Sequence, residues 1–193
     1  MPLPDIHLLY ELGQLAQLQR TYLYTTGAPS VAAHMHRVAI VALMLARAEG
    51  AHVEKVLLMA LVHDAPETRT GDPNPFQKPF VKTDDIGAAH VQFDDTSLAD
   101  MVELLEEYEA RETLEAKVVK DADMLVAELE MCELTARGHT EPGCPISMSE
   151  RLAIRPKLRT KTAQTMYDAI HATSPFGWLR KGPNAYKTGT HGT

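Results

Sequence analysis

The chain has 193 residues and a mass of 21.3 kDa, enough for one domain that buries an apolar core without disulfides. Apolar residues at 45% and charged residues at 23% are globular values rather than those of a disordered or membrane chain. A formal charge of −7 argues against a broad phosphate-backbone footprint, so small molecules rather than nucleic acid are the expected partners.

In chain order, Asp5 to Gln19 repeats Leu8, Leu12, Leu15 and Ala16 at the spacing of one helical face, which predicts a first helix. The start, Met1 to Arg20, has no basic segment followed by an apolar one and a small-residue cleavage site. No stretch of about 18 uncharged apolar residues occurs anywhere. The expectation is a cytoplasmic protein with no membrane partner. Thr25 to Pro29 reads as a loop, and Ser30 as the N-cap of a second helix that runs to Glu49 and stops at Gly50. His52 to Asp64 carries Val53, Val56, Leu57, Ala60 and Leu61 at helical spacing, so a third helix ends in His63-Asp64.

Pro66 removes a backbone donor and disfavours helix at Ala65, which predicts a kink or a stop. Thr70 to Pro79, with Gly71, Pro73, Pro75 and Pro79, reads as a constrained loop. Asp95-Thr96-Ser97 can cap a helix through Tyr108, and Thr113 a longer one to Arg137 that stops at Gly138. Glu141 to Ser147 is a turn-rich break, after which helical pattern resumes from Ser149 to His171 with an interruption at Pro156. Residues 1–173 therefore read as one domain, its motif-bearing core at about 5–135, and the Gly-, Pro- and Thr-rich 174–193 as a loose tail. No segment alternates with period two and no repeat occurs, so the fold class is all-α, a single compact helical bundle. Cys132 and Cys144 match no CxxC pair or secreted disulfide framework and read as reduced thiols, Cys132 being simply buried.

Three patterns carry chemistry. A His-Asp pair is weak evidence in a chain with nine histidines, but His63-Asp64 closes an apolar helix, where ionisable side chains are costly unless paired or metal-bound. His34 lies on a largely apolar stripe with Ser30, Val38 and Val41; a satisfied core histidine is the alternative. Asp123 has Val119, Val126 and Ala127 as helical neighbours, whereas Asp121 sits beside Lys117 and reads as a surface ion pair, so Asp123 is preferred. His36 points elsewhere than His34, and His7, His52, His90, His139, His171 and His191 share no ligand spacing and read as surface or capping residues. Trp178 and Phe176 receive no role.

The order His34, then His63-Asp64 after 29 residues, then Asp123 after a further 59, each on its own predicted helix, resembles the HD-domain superfamily of metal-dependent phosphohydrolases. Within it the chain is most similar to the bacterial 5′-deoxynucleotidases and the HD-domain-containing protein 2 family. That likeness rests on Ser30 to Leu45, His63-Asp64-Ala65-Pro66-Glu67, Thr70-Gly71-Asp72-Pro73, Glu106-Glu107-Tyr108-Glu109 and Glu115-Ala116-Lys117 leading into Lys120-Asp121-Ala122-Asp123. The resemblance implies an HD-type helical bundle, with His34, His63, Asp64 and Asp123 as ligands of one divalent metal ion. It implies Glu67 and Asp72 working beside that ion, Arg20 holding the substrate phosphate, and a homodimer.

Two imidazoles and two carboxylates suit Mn, Co, Fe or Zn. Such an ion lowers the pKa of bound water and draws charge from phosphoryl oxygens. Glu67 could serve as general base or acid, against the alternative of a solvated helix end; Asp72 could orient water or a sugar hydroxyl, or merely cap a turn; Arg20 could present a fork to phosphate, or be an exposed helix end. Glu107 belongs to an acidic run that reads as a solvated face. Three features depart from the pattern: Ala33 stands where relatives usually carry an acidic residue, Pro66 interrupts Asp64 to Glu67 and predicts a displaced Glu67, and Thr21 follows Arg20 where the bacterial enzymes have Trp, so their preference for deoxyribose does not transfer. The expected activity is hydrolysis of nucleoside 5′-monophosphates to nucleoside and phosphate. The alternatives are another small phosphoester, such as a cyclic nucleotide or a guanosine polyphosphate, and a helical binding module without turnover.

Overall fold

The structure is a computed structural model that describes residues 2–21, 27–74, 77–139 and 154–181. Helix α1, Leu3–Leu12, is shorter than its periodicity suggests, and the chain tightens into a 3-10 turn over Gly13–Ala16. Gly13 favours the break, since glycine costs about 1 kcal/mol relative to alanine inside a helix. The turn lets Leu12, Leu15 and Leu18 gather on Val31 and Met35 at the start of the next helix. Arg20 N–H donates to the Pro29 carbonyl (2.9 Å) and Val31 N–H to the Leu18 carbonyl (2.8 Å), a short bridge that fixes Arg20 beside that helix.

Helix α2, Val31–Glu49, has the bounds its caps predict: the Ser30 hydroxyl accepts from Ala33 N–H (3.3 Å), and Gly50 closes it at φ 72°, a left-handed conformation costly to other residues. By length and composition α2 could cross a membrane; here it is a core helix that buries Val31, His34, Val38, Val41, Ala42 and Leu45. Helix α3, Val53–Val62, is capped by the His52 ring, and α7, Leu114–Ala136, by the Thr113 hydroxyl. Both lie against α2, and their shared core of Val38, Leu45, Val56, Met59, Val119 and Leu125 is fully buried. Each such side chain contributes about 1.5–3 kcal/mol by leaving water.

After α3 the chain turns through 63–66 and re-forms as the short α4, Glu67–Thr70. Pro66 sits at the start of α4 with φ −60°, where a missing N–H costs nothing. The expected displacement of Glu67 does not occur. Helix α5, Asp85–Phe93, was not predicted; Asp84 caps it and Ala89 and Phe93 bury one face. Helix α6, Met101–Ala110, begins later than Asp95-Thr96-Ser97 suggested, because Thr96 instead closes a turn onto the Phe93 carbonyl. Together α1, the end of α3, α5 and α6 enclose a second core around Leu8, Val62, Phe93 and Leu105. Glu11 ties α1 to α4 and α5 by accepting from Arg69, Thr68 and Gln92 at 2.6–3.0 Å.

Helix α8, Lys161–His171, follows a 3-10 turn over Arg155–Lys157 that contains the expected Pro156 interruption. Its anchor corrects the reading of Asp121 as a surface ion pair. Asp121 is 1% exposed and accepts from Arg159 N–H (2.9 Å), Thr160 N–H (2.8 Å) and the Thr160 hydroxyl (2.8 Å). The 174–193 segment is not loose throughout, since Gly177–Arg180 forms a 3-10 turn. The expected break at 141–147, Ser149, Cys144, His191 and the end from 182 lie outside the described residues. No strand occurs among the described residues, and the architecture is an all-α bundle.

Candidate metal and phosphoester site

Three helices aim polar side chains at one point between the two cores. His34 comes from the first turns of α2 and is fully buried; its Nε2 lies 3.1 Å from Asp123 Oδ1 on α7. On its other side Nδ1 lies 3.2 Å from both carboxylate oxygens of Glu130, which is 1% exposed. His63 follows α3, and its Nδ1 is 2.8 Å from the Ala60 carbonyl. A carbonyl only accepts, so Nδ1 carries a proton and Nε2 is the ring atom left to face the site. That Nε2 is buried, makes no hydrogen bond among the described residues, and sits 3.2 Å from Asp64 Oδ2. Asp64 Oδ2 also lies 3.9 Å from His34 Nε2.

Donor atoms of His34, His63 and Asp123 all lie within 4.8 Å of one another, and the unsatisfied His63 Nε2 is what a bound cation would use. This mixed nitrogen and oxygen set therefore fits a divalent ion. The electrostatics agree. Burial lowers the His34 pKa, but hydrogen bonds to Asp123 and Glu130 outweigh it and raise the ring to about 9. Burial opposes ionisation of Asp123, yet the Lys120 ammonium, 2.7 Å away, and His34 hold its carboxyl well below the usual range. Tyr108 completes the surround, its hydroxyl donating to Asp123 Oδ2 at 3.3 Å and its ring edge-on to His63.

The other expected residues meet at the same place. Arg20, its side chain 10% exposed, lies 3.5 Å from Asp64 Oδ2 through its Nη1 and 3.7 Å from Asp72 Oδ2 through its Nε. Thr21 N–H donates to Asp72 Oδ2 (3.3 Å) and its hydroxyl donates to the Asp72 carbonyl, so Thr21 braces the loop. Glu67 points inward from α4 with Oε2 buried; burial and the nearby Asp64 and Asp72 charges push its carboxyl up to about 10. A cavity of about 280 Å³ joins Arg20, His63, Asp64, Glu67, Asp72 and Asp123. Glu107 stays out of it: it pairs with Lys55 (2.5 Å) and accepts from the Thr113 hydroxyl (2.6 Å).

Sequence reasoning missed Glu130 and gave no role to Tyr108 and Lys120, which it met only as members of motifs. Glu130 had a signal: it lies seven residues after Asp123, hence two turns along the same face of α7, and it is a carboxylate in an apolar stretch.

The fold and this site define a helical bundle in which His34, His63, Asp64 and Asp123 meet beside a polar cavity. The HD domain family model matches residues 12–166, and the chain belongs to the HD domain family. It is 32% identical over 138 residues to the 5′-deoxynucleotidase HDDC2 of Xenopus laevis, covering 65% of this chain and 68% of that protein. Its fold is shared with a conserved hypothetical protein from Pyrococcus furiosus, at a TM-score of 0.73 and 24% identity over 87% of this chain and 99% of that one. It is shared too with a predicted metal-dependent phosphohydrolase from Magnetospirillum magnetotacticum, at a TM-score of 0.70 and 23% identity over 88% and 90%.

Proposed function

We propose that the protein hydrolyses nucleoside 5′-monophosphates to nucleoside and phosphate, using one divalent ion held by His34, His63, Asp64 and Asp123. The observation that carries this reading is the convergence of that donor set with Arg20, Glu67 and Asp72 on one cavity, beside a sequence relative named as a 5′-deoxynucleotidase. The ion supplies an acidified water and charge neutralisation at the phosphoryl oxygens. Arg20, already between two carboxylates, is positioned to offer its fork to phosphate oxygens that take their place. Glu67, held protonated by burial, is a proton source for the departing nucleoside oxygen and, once ionised, a base toward water. Asp72, fixed by Thr21, positions a sugar hydroxyl or the water.

A phosphoester with more than one phosphate is the second reading, favoured by Lys78 and Arg111 at the same cavity. The test is phosphate release from deoxyribo- and ribonucleoside 5′-monophosphates, cyclic nucleotides and guanosine polyphosphates by metal-stripped protein restored with Mn, Co, Zn or Mg. Turnover confined to 5′-monophosphates supports the proposal. Turnover of guanosine polyphosphates instead moves the substrate to the second class, and turnover of cyclic nucleotides alone, or none with any metal, rejects both.

A further inference from the structure

Away from that cavity, α7 and α8 bring together Glu128, Cys132 and His171, whose donor atoms lie within 4.8 Å of one another. Glu128 and Cys132 are four residues apart and so share one face of α7; His171 is in the last turn of α8. The reading of Cys132 as simple burial and of His171 as a surface histidine is therefore incomplete. Glu128 is 1% exposed, and its carboxylate faces both the thiol and the ring across the contact of α7 with α8. The His171 side chain is only 19% exposed, and its ring is held at 4.5 Å from the buried Tyr167. Its Nε2 is inaccessible to solvent and lies 3.2 Å from Glu128 Oε1, yet it makes no hydrogen bond of good geometry among the described residues. The Cys132 Sγ is 3.8 Å from the same Glu128 oxygen.

We propose that Glu128, Cys132 and His171 form a second divalent-cation site of zinc-like preference that clamps α8 to α7. One carboxylate, one thiolate and one imidazole are the donor types zinc takes in tetrahedral sites, with water left as the fourth ligand. On binding, the Cys132 thiol gives its proton to solvent and the sulfur bonds the cation; no oxidant or reductant is involved. The arrangement also explains the buried His171 Nε2, which an ion pair of proper geometry with Glu128 would have satisfied. This site is separate from the His34, His63, Asp64 and Asp123 set, which contains no sulfur.

Sulfur gives the test its readout. Full-length metal-stripped protein is titrated with Co²⁺ while ultraviolet absorption and bound metal are followed. The wild type is expected to take up two ions and show a thiolate-to-cobalt charge-transfer band. Cys132→Ser is expected to lose the band and one ion while keeping its helical circular dichroism, whereas Asp64→Ala and Cys144→Ser keep the band. A wild type without the band, or a band that survives Cys132→Ser, overturns the proposal. As a second readout, Zn²⁺ is expected to raise the Tm of Asp64→Ala and leave that of the Asp64→Ala, Cys132→Ser double variant unchanged; equal shifts in both contradict it.

Discussion

Replacing Glu130 by Gln keeps the shape of the side chain behind His34 and removes its charge. In the wild type, Glu130 and Asp123 hold His34 protonated up to about pH 9 without metal, so a cation binding at Nε2 must displace that proton. At pH 7, two units lower, displacement costs about 3 kcal/mol, a factor of about a hundred, and affinity should climb about tenfold per pH unit until it levels near pH 9. Loss of the carboxylate weakens the imidazole as a ligand, and partners in this position typically contribute about 10–100-fold in metal affinity, or about 1.4–2.7 kcal/mol. It also lowers the basicity of His34 and relieves the proton competition. The two effects oppose each other below pH 9, so Glu130→Gln should bind metal about 10–100-fold more weakly at pH 9 and above, with a smaller deficit at pH 7. Competition against a chelator across pH 6 to 9.5, with circular dichroism to confirm folding, measures this. A deficit independent of pH, or equal affinity at pH 9.5, refutes the reasoning.

Three further outcomes follow from the structure. Asp121→Ala leaves two N–H groups and a hydroxyl unsatisfied in a buried interface and should destabilise the protein by about 3–5 kcal/mol in urea unfolding; a loss below about 1 kcal/mol would deny its anchoring role. Glu67 has its folded pKa raised to about 10 against an ordinary value of 4.5, so in the metal-free protein the unfolded chain releases the proton first, and stability should fall as pH rises from about 4.5 toward 10. Glu67→Gln should flatten that slope in Tm measurements and lower kcat by about 10²–10⁴-fold, whereas a slope identical to wild type contradicts the burial of this carboxyl. Arg20→Lys, which keeps the charge but not the fork, should lower kcat/KM by about tenfold or more, mostly through KM; an unchanged KM removes Arg20 from phosphate binding.

What was legible in the sequence divides by range. Ser30 with Gly50, and Thr113 with Gly138, announce α2 and α7 because a cap is a contact between residues three or four apart. His34, His63 and Asp123, whose donor atoms the structure brings together, were legible because each interrupts an apolar helical pattern. Asp121 misled because its local neighbour Lys117 suggested a pair, while its actual partners lie 38 and 39 residues away. Glu67 misled in the opposite direction: Pro66 predicts a break, but a break followed at once by a new turn of helix leaves the carboxylate facing the cavity. Helix α5 was missed although Asp84, Ala89 and Phe93 gave it a cap and a face, because so short a stretch offers only two buried apolar side chains. The pairing of His34 with Glu130 and that of His171 with Glu128 depend on which helices become neighbours, which spacing within one helix does not reveal.

The central claim is that a divalent ion on His34, His63, Asp64 and Asp123 drives phosphomonoester hydrolysis. Its most direct test is phosphate release from a nucleoside 5′-monophosphate as metal-stripped protein is titrated with Mn²⁺, an ion that prefers this nitrogen and oxygen set to a thiolate site. The account predicts no turnover without metal, a rise that saturates as this site fills, and no rise in Asp64→Ala. Turnover by the stripped protein, or an Asp64→Ala variant that responds like the wild type, would contradict it.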